Sequence, residues 1–169
     1  MAFIKSGQTV LSFAEYQDVL DRDQRLFEAN EGLTIDIVED TLIRATERIL
    51  TEIRATDWWR DYYIKRDSAL QYSTRADIPA VDPTKIAARL HDFTDLCVFK
   101  ALGEYILPKI ADFGTEENAE RQKMGYYVQR SQALFNELIT AGDWYDFDDD
   151  GVITSSEKQP GVINLRRVR

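Results

Sequence analysis

The sequence has a single cysteine, Cys97, and a single histidine, His91, in 169 residues. One cysteine cannot form a disulfide within the chain, which is typical of proteins from a reducing compartment. Cys97 falls on the apolar side of a predicted helix, where a small buried hydrophobe is the simpler interpretation. Neither residue lies in a nucleophile or triad motif, and no glycine-rich phosphate loop is present. We therefore do not expect an enzyme.

Long apolar runs are also missing. Without a stretch of about 18 apolar residues, no membrane-spanning helix is predicted. Residues 1–7 lack the apolar segment of a signal peptide, so export by that route is not expected. Hydrophobic residues make up 44% of the chain and charged residues 30%, a mixture that favours one globular domain over a disordered chain.

Negative charge dominates the chain, and its distribution is uneven. The net charge is −9, yet the last nine residues contain three of the 21 basic residues and none of the 30 acidic ones. An acidic body repels phosphate groups. Neither specific nucleic-acid binding nor membrane binding is therefore expected.

Hydrophobic periodicity predicts a mainly α fold, a helical bundle of four to five helices over residues 12–142. Extended arms are expected at residues 1–11 and 161–169, and a short strand is the alternative for residues 1–11. Ser12 followed by Glu15 is a capping-box pattern, which predicts that the first helix begins there.

Further capping signals divide the rest of the bundle. Thr34 precedes the clearest helix, whose apolar stripe comprises Ile35, Val38, Leu42, Ala45, Ile49 and Ile53. Asp82 followed by Pro83 predicts the start of another helix, which Pro108 bends or ends. The final long helix is expected to run to Ala141, with Gly142 at its C-cap.

An acidic loop, within residues 143–160, carries the sharpest motif. Residues 146–157, DFDDDGVITSSE, fit the calcium-loop pattern D-x-[DN]-x-[DN]-G-x₅-E. That spacing directs oxygen donors to one point, and the predicted ligands are Asp146, Asp148, Asp150, the Val152 carbonyl, Thr154 and Glu157. The acids repel one another without a cation, so one calcium ion is the expected cofactor. The alternative is a solvated acidic loop that matches by chance.

The flanks of this loop do not favour a calcium switch. The incoming helix is expected to stop at Gly142, and Pro160 leaves little room for a helix after Glu157. The loop also has no second copy. A single structural site that stiffens a turn is the functional interpretation. Neutralising both Asp148 and Glu157 is then expected to stabilise the cation-free loop.

Large aromatics are concentrated at Trp58, Trp59, Tyr62 and Tyr63. Tryptophan and tyrosine are enriched at interfaces, so these four residues are candidate interface aromatics, although the core face of a short helix explains part of the set as well. Adjacent helical residues diverge by about 100°, so Trp58 and Trp59 are not expected to face one core. At least one should meet a loop or a partner.

The C-terminal segment combines apolar and basic residues, namely Val162, Ile163, Leu165, Arg166, Arg167, Val168 and Arg169. Left free, its aliphatic side chains would be exposed. We expect a docking arm that adds to the sheet of another molecule and pairs its arginines with carboxylates there. A disordered end is the alternative.

Several segments resemble head-to-tail adaptor (connector, or head completion) proteins of tailed bacteriophages. They are residues 37–50 (IVEDTLIRATERIL), followed by residues 56–59 (TDWW), and further on residues 102–109 (LGEYILPK) and 141–151 (AGDWYDFDDDG). The similarity covers most of the chain from about residue 13. It depends on general pattern and not on one diagnostic motif.

The resemblance implies a structural virion protein located at the neck and assembled in the host cytoplasm. Such a protein forms a homo-oligomeric ring, generally of twelve copies, under the portal protein, and a neck or tail protein binds its other face. The C-terminal arm would dock on the portal. An alternative function is a calcium-binding interaction module with a single EF-hand-like loop. A large calcium-dependent conformational change in a monomer would favour this alternative.

Overall fold

A computed structural model describes residues 3–7, 9–29, 32–66, 77–111, 119–155 and 157–158. As predicted, the protein is mainly α-helical, with one two-stranded sheet in the described part. The helices are α1 (Tyr16–Arg22), α2 (Gln24–Ala29), α3 (Ile35–Arg54), α4 (Asp57–Arg66), α5 (Leu90–Lys100), α6 (Leu107–Ile110) and α7 (Ala119–Ala141). They exceed the four to five predicted because two predicted helices are interrupted.

The N-terminal residues form a hairpin, which agrees with the strand alternative for residues 1–11 and not with an extended arm. Strands β1 (Ile4–Ser6) and β2 (Thr9–Ser12) pair antiparallel, and Gly7 between them takes a positive φ of 63°. Phe3 and Phe13, which flank the hairpin, pack with ring centroids 4.6 Å apart. This aromatic contact attaches the hairpin to the core, which the lack of helical periodicity in residues 1–11 could not show.

The first predicted helix begins later than expected and is broken. Its capping box is formed by Glu15 and Asp18, because the Glu15 N–H donates to the Asp18 carboxylate at 2.9 Å. Ser12 instead bonds with the backbone of Ala14 and belongs to β2. Asp23 separates α1 from α2, and its buried carboxylate accepts a hydrogen bond of 2.7 Å from Lys123 of α7.

Helix α3 follows the prediction closely and lies against β2 and α5. It begins after Thr34, and the predicted stripe from Val38 to Ile53 is buried. Ile35 is the exception, because its side chain is 53% exposed. The Thr46 hydroxyl accepts a hydrogen bond from the Phe13 N–H at 3.1 Å, which attaches the end of the hairpin to the middle of α3.

The helix predicted to start at Pro83 begins at Leu90 instead. The Asp82 cap is present, but it supports only a 3₁₀ turn, Pro83–Lys85. The next residues bond elsewhere: Ile86 forms a bridge with Tyr145, and the Ala87 N–H donates to the Trp144 carbonyl at 3.0 Å. Pairing with this distant segment therefore replaces the first helical turns.

Helix α5 continues through a π-helical segment, Ala101–Ile106, into α6. Gly103 of that segment lies directly against α7, since a Cβ there would stand 3.0 Å from the backbone nitrogen of Val128. Helix α6 extends past Pro108 to Ile110. Helix α7 ends as predicted, with Gly142 at a positive φ of 58° and its N–H bonded to the Leu138 carbonyl.

Within the described ranges, no helix is both long and apolar enough to span a membrane.

Candidate functional site

One side-chain hydrogen bond and one β-bridge fix the start of the acidic loop to the body of the protein. Trp144 is fully buried and its indole N–H donates to the Leu138 carbonyl at 2.8 Å. Tyr145 bridges to Ile86, and the Asp146 N–H donates to the Lys85 carbonyl at 2.9 Å. The loop therefore begins from a rigid anchor, and Asp146, its first predicted ligand, is buried.

The Asp146 carboxylate organises the first half of the loop. It accepts hydrogen bonds from the N–H groups of Asp149 at 2.7 Å and Gly151 at 2.8 Å. Both donors lie at positive φ, 66° for Asp149 and 83° for Gly151. Glycine takes this conformation without a steric penalty, as the sequence motif predicts at Gly151, and aspartate is among the residues that tolerate it best.

The Glu157 carboxylate organises the second half. One oxygen accepts from the N–H groups of Phe147 at 2.8 Å and Asp148 at 3.3 Å. The other accepts from the N–H of Thr154 at 2.7 Å and from its hydroxyl at 2.8 Å. A carboxylate has about four acceptor sites, so these four hydrogen bonds already occupy the acceptor sites of Glu157. Bidentate binding of a cation would have to displace some of them.

Three of the four predicted carboxylate ligands converge. Asp146, Asp148 and Glu157 each place one oxygen within 4.8 Å of the others. Asp150 is outside this group and accepts a hydrogen bond from the Val152 N–H. The Thr154 hydroxyl donates to Glu157 at 2.8 Å. Calcium prefers 6–8 oxygen ligands, which means that three carboxylates alone would leave much of its coordination shell to water.

The three converging carboxyls differ in their pKa. Burial alone would raise the pKa of Asp146, but hydrogen bonds from Gly151 and Asp149 outweigh burial and lower it. The pKa of Glu157 is lowered in the same way, against burial, by hydrogen bonds from the Thr154 backbone and hydroxyl. The pKa of Asp148 is raised by desolvation and by repulsion from the charges of Asp150 and Glu157. Asp148 is therefore the carboxyl of the set whose charged form is least favoured.

The candidate interface aromatics pack against the start of this loop. Phe147 packs among them, stacking on Tyr62 with ring centroids 3.5 Å apart and an angle of 14° between the rings. Trp58 lies 4.8 Å from Trp144, and Trp59 lies 5.0 Å from Tyr145. Residues from the first turns of α4 and from the start of the acidic loop thus make one aromatic cluster.

The prediction that Trp58 and Trp59 could not both face one core is wrong. Both are buried, Trp59 completely. Trp58 packs on Trp144 and Trp59 packs on Tyr145, so adjacent residues of the loop segment enclose two helical residues that lie about 100° apart. The expectation that at least one of them meets a loop is confirmed. Neither tryptophan is exposed to a partner molecule, and Tyr62 and Tyr63 are half-buried.

We compared the chain with known proteins. No protein-family model, curated protein or solved structure matches it. Its candidate functions therefore depend on the geometry of its own residues and on the resemblance of its sequence segments.

The predicted docking arm, residues 161–169, lies outside the described residues. The structure also has a small apolar cavity that the hydrophobic pattern of the sequence did not predict. We call it the hairpin–α3 groove, a small cavity of about 90 Å³ lined by Ile4, Leu11, Ser12, Ala14, Glu39 and Ile43.

Exposed aliphatic side chains belong to the elements that form this groove. Ile35 and Ile37 begin α3 and are 53% and 41% exposed, and Leu11 of β2 is 37% exposed. Ile37 could have been found from the sequence, because it lies about 100° from the stripe position Val38. Ile35 could not, because its spacing of three residues from Val38 fits the stripe.

Proposed function

We propose that this protein is a structural virion component, a head-to-tail adaptor that forms a ring beneath a portal protein and joins the capsid to the neck or tail. The observation that carries the proposal is the set of exposed aliphatic side chains on β2 and α3, namely Leu11, Ile35 and Ile37. Single exposed apolar residues are ordinary on a protein surface, but several of them on the two elements that line an apolar groove are typical of a protein–protein contact.

Three further features support this function. The helical architecture is the one that the resemblance to adaptor proteins implies. The acidic charge of the body suits the wall of a channel through which DNA must slide without binding. The aromatic cluster holds the acidic loop rigidly against α4, which suits a building block whose shape must not change between copies.

Electron microscopy of the purified chain, alone and with the portal protein encoded beside it, tests the proposal. We expect closed rings, generally of twelve copies, seated on the portal. Truncation after Gly161 should leave the helical fold intact and abolish assembly, because the arm is expected to contribute contacts between chains and not within one. A chain that stays monomeric at all concentrations, with and without portal protein, would contradict the adaptor function.

The convergence of Asp146, Asp148 and Glu157 favours a second candidate function, binding of one calcium ion. Bound calcium would offset the repulsion among these carboxylates and would raise the unfolding temperature, since a ligand that binds only the folded state stabilises it. Isothermal titration calorimetry with calcium, using Asp148→Asn as the weakened variant and magnesium as the competing ion, measures this directly. Absence of calcium binding by the unmutated chain would end this candidate.

A further inference from the structure

The two-stranded hairpin has an unused edge. Strand β1 pairs with β2, and no other strand of the described ranges joins the sheet. A strand edge of this kind presents free N–H and C=O groups that can pair with another extended segment. A hairpin of two strands is also marginally stable by itself, so a third strand would stabilise it.

The hairpin–α3 groove lies beside this sheet and is mainly apolar. Ile4 and Leu11 come from the two strands, and Ile43 comes from α3. Its volume of about 90 Å³ is smaller than the engineered cavity of about 150 Å³ that accepts benzene, so it suits one aliphatic side chain.

Negative charge is concentrated in the first turns of α3, where Glu39 lines the groove. Asp36, Glu39 and Asp40 lie in the first turns of α3 and are exposed, and none of them forms an ion pair with any residue in the described part of the chain. An occupant that fits this surface is therefore extended, aliphatic in one part and basic in another.

The C-terminal segment has this chemistry. In a strand, residues two apart lie on one face, so Ile163 and Leu165 would share a face with Arg167 and Arg169. The aliphatic pair would then face the groove, and the two arginines would continue toward the carboxylates of α3. Main-chain pairing with side-chain pockets is a common mode of peptide recognition.

We propose that residues 161–169 of one copy add as a strand to the hairpin of a neighbouring copy and place an aliphatic side chain in its hairpin–α3 groove. This inference rests on the proposed function, which sets copies side by side. A neighbouring copy is the expected acceptor because the adaptor function requires contacts between chains.

Disulfide trapping tests the contact in the full-length protein. A Leu11→Cys chain is mixed with an Ile163→Cys chain of different mass and oxidised. The native Cys97 is buried and does not interfere. We expect a covalent heterodimer. The control pairs Ile163→Cys with Tyr126→Cys, since Tyr126 is exposed on α7, which does not line the groove. Equal trapping in both pairs would overturn the inference, as would a disulfide that forms only within a doubly substituted chain.

Charge reversal on α3 gives a second, matched test. Glu39 and Glu47 are both exposed on this helix, but only Glu39 lines the groove. Glu39→Lys should weaken self-association at low salt by roughly tenfold, because like charges would face each other across the contact, and Glu47→Lys should leave it unchanged. Equal effects of the two reversals would contradict the proposed position of the segment.

A synthetic peptide of residues 161–169 separates this inference from the adaptor function. Added to the chain truncated after Gly161, the peptide should slow hydrogen exchange of the hairpin amides, and a peptide with its three arginines replaced by glutamate should not. Rings on the portal without trapping or protection would refute the strand addition and leave the adaptor function standing. Protection by the peptide without any ring would refute the adaptor function alone.

Discussion

The carboxylate of Glu157 accepts a hydrogen bond of 2.8 Å from the backbone N–H of Phe147, ten residues earlier in the chain. This bond closes the acidic loop on itself at the residue whose ring is held by Tyr62 and Trp59. The acidic loop and the aromatic cluster are therefore one structural unit. Substitutions in the loop should therefore alter its packing against α4, with or without a bound cation.

Neutralising Glu157 and neutralising Asp148 should have opposite effects on stability. Glu157→Gln removes acceptor capacity from four hydrogen bonds and should cost about 1–3 kcal/mol of unfolding free energy in a cation-free buffer. Asp148→Asn removes a charge repelled by Asp150 and Glu157 and should raise the unfolding temperature. Urea denaturation in the presence of a chelator measures both. The sequence predicted that neutralising the two residues together stabilises the loop, whereas the structure predicts stabilisation from the change at Asp148 only. A stabilised Glu157→Gln chain would contradict our account of the hydrogen bonds.

The two buried tryptophans should differ in their tolerance of substitution by phenylalanine. The Trp59 indole N–H donates to the Pro79 carbonyl at 2.9 Å, whereas the Trp58 indole nitrogen is buried without a hydrogen-bond partner among the described residues. Trp59→Phe should therefore cost about 1 kcal/mol more than Trp58→Phe, since both lose similar volume and only one loses a hydrogen bond. Chemical denaturation of both variants tests this. An equal loss, or a larger one at Trp58, would show that Trp58 has a partner.

Two helical glycines should respond oppositely to alanine. Gly103→Ala would place a Cβ 3.0 Å from the Val128 backbone nitrogen, which must force the π-helical segment and α7 apart at a cost of about 1–3 kcal/mol. Gly125 of α7 has nothing within 4 Å of the same position, and Gly125→Ala should stabilise by about 0.4–1 kcal/mol. Thermal unfolding of the two variants provides the comparison. The packing argument fails if Gly103→Ala is as stable as the parent chain.

The Cys97 thiol should make the protein sensitive to alkali. Burial raises its pKa from an ordinary value of 9.0 to about 11, and burial likewise raises the pKa of Tyr127 from 10.0 to about 12. Both groups bind their protons more tightly in the folded state. Their contribution is therefore complete below the ordinary pKa values and is lost as pH rises from about 9 through the raised values. We expect the free energy of unfolding to fall over this range.

Cys97→Ala should reduce this alkaline loss, because it removes one of the titrating groups. Denaturation midpoints measured at several pH values above about 8 give the slope for each chain. The native thiol should also react with a disulfide reagent no faster than the protein unfolds. Rapid reaction of the native thiol near neutral pH would contradict its burial.

Local signals in the sequence determined the helices with the strongest periodicity. The stripe of α3, the Gly142 C-cap and the positive φ of Gly151 all depend on residues within one or two turns of each other, so their spacing suffices. The same locality made the acidic motif visible as a pattern of carboxylates. That pattern could not show that hydrogen bonds already occupy the acceptor sites of Glu157 that a cation would need.

Tertiary structure alone decided the features that depend on residues distant in sequence. Pro83 begins only a short turn because Ile86 and Ala87 pair with the segment around Trp144. Trp58 and Trp59 are both enclosed because that same segment packs on both of them. Helix and turn preferences amount to about 1 kcal/mol or less per residue. A distant segment that supplies hydrogen bonds and buries large aromatic rings overrides them, because burial of the rings contributes more free energy than the local preferences oppose.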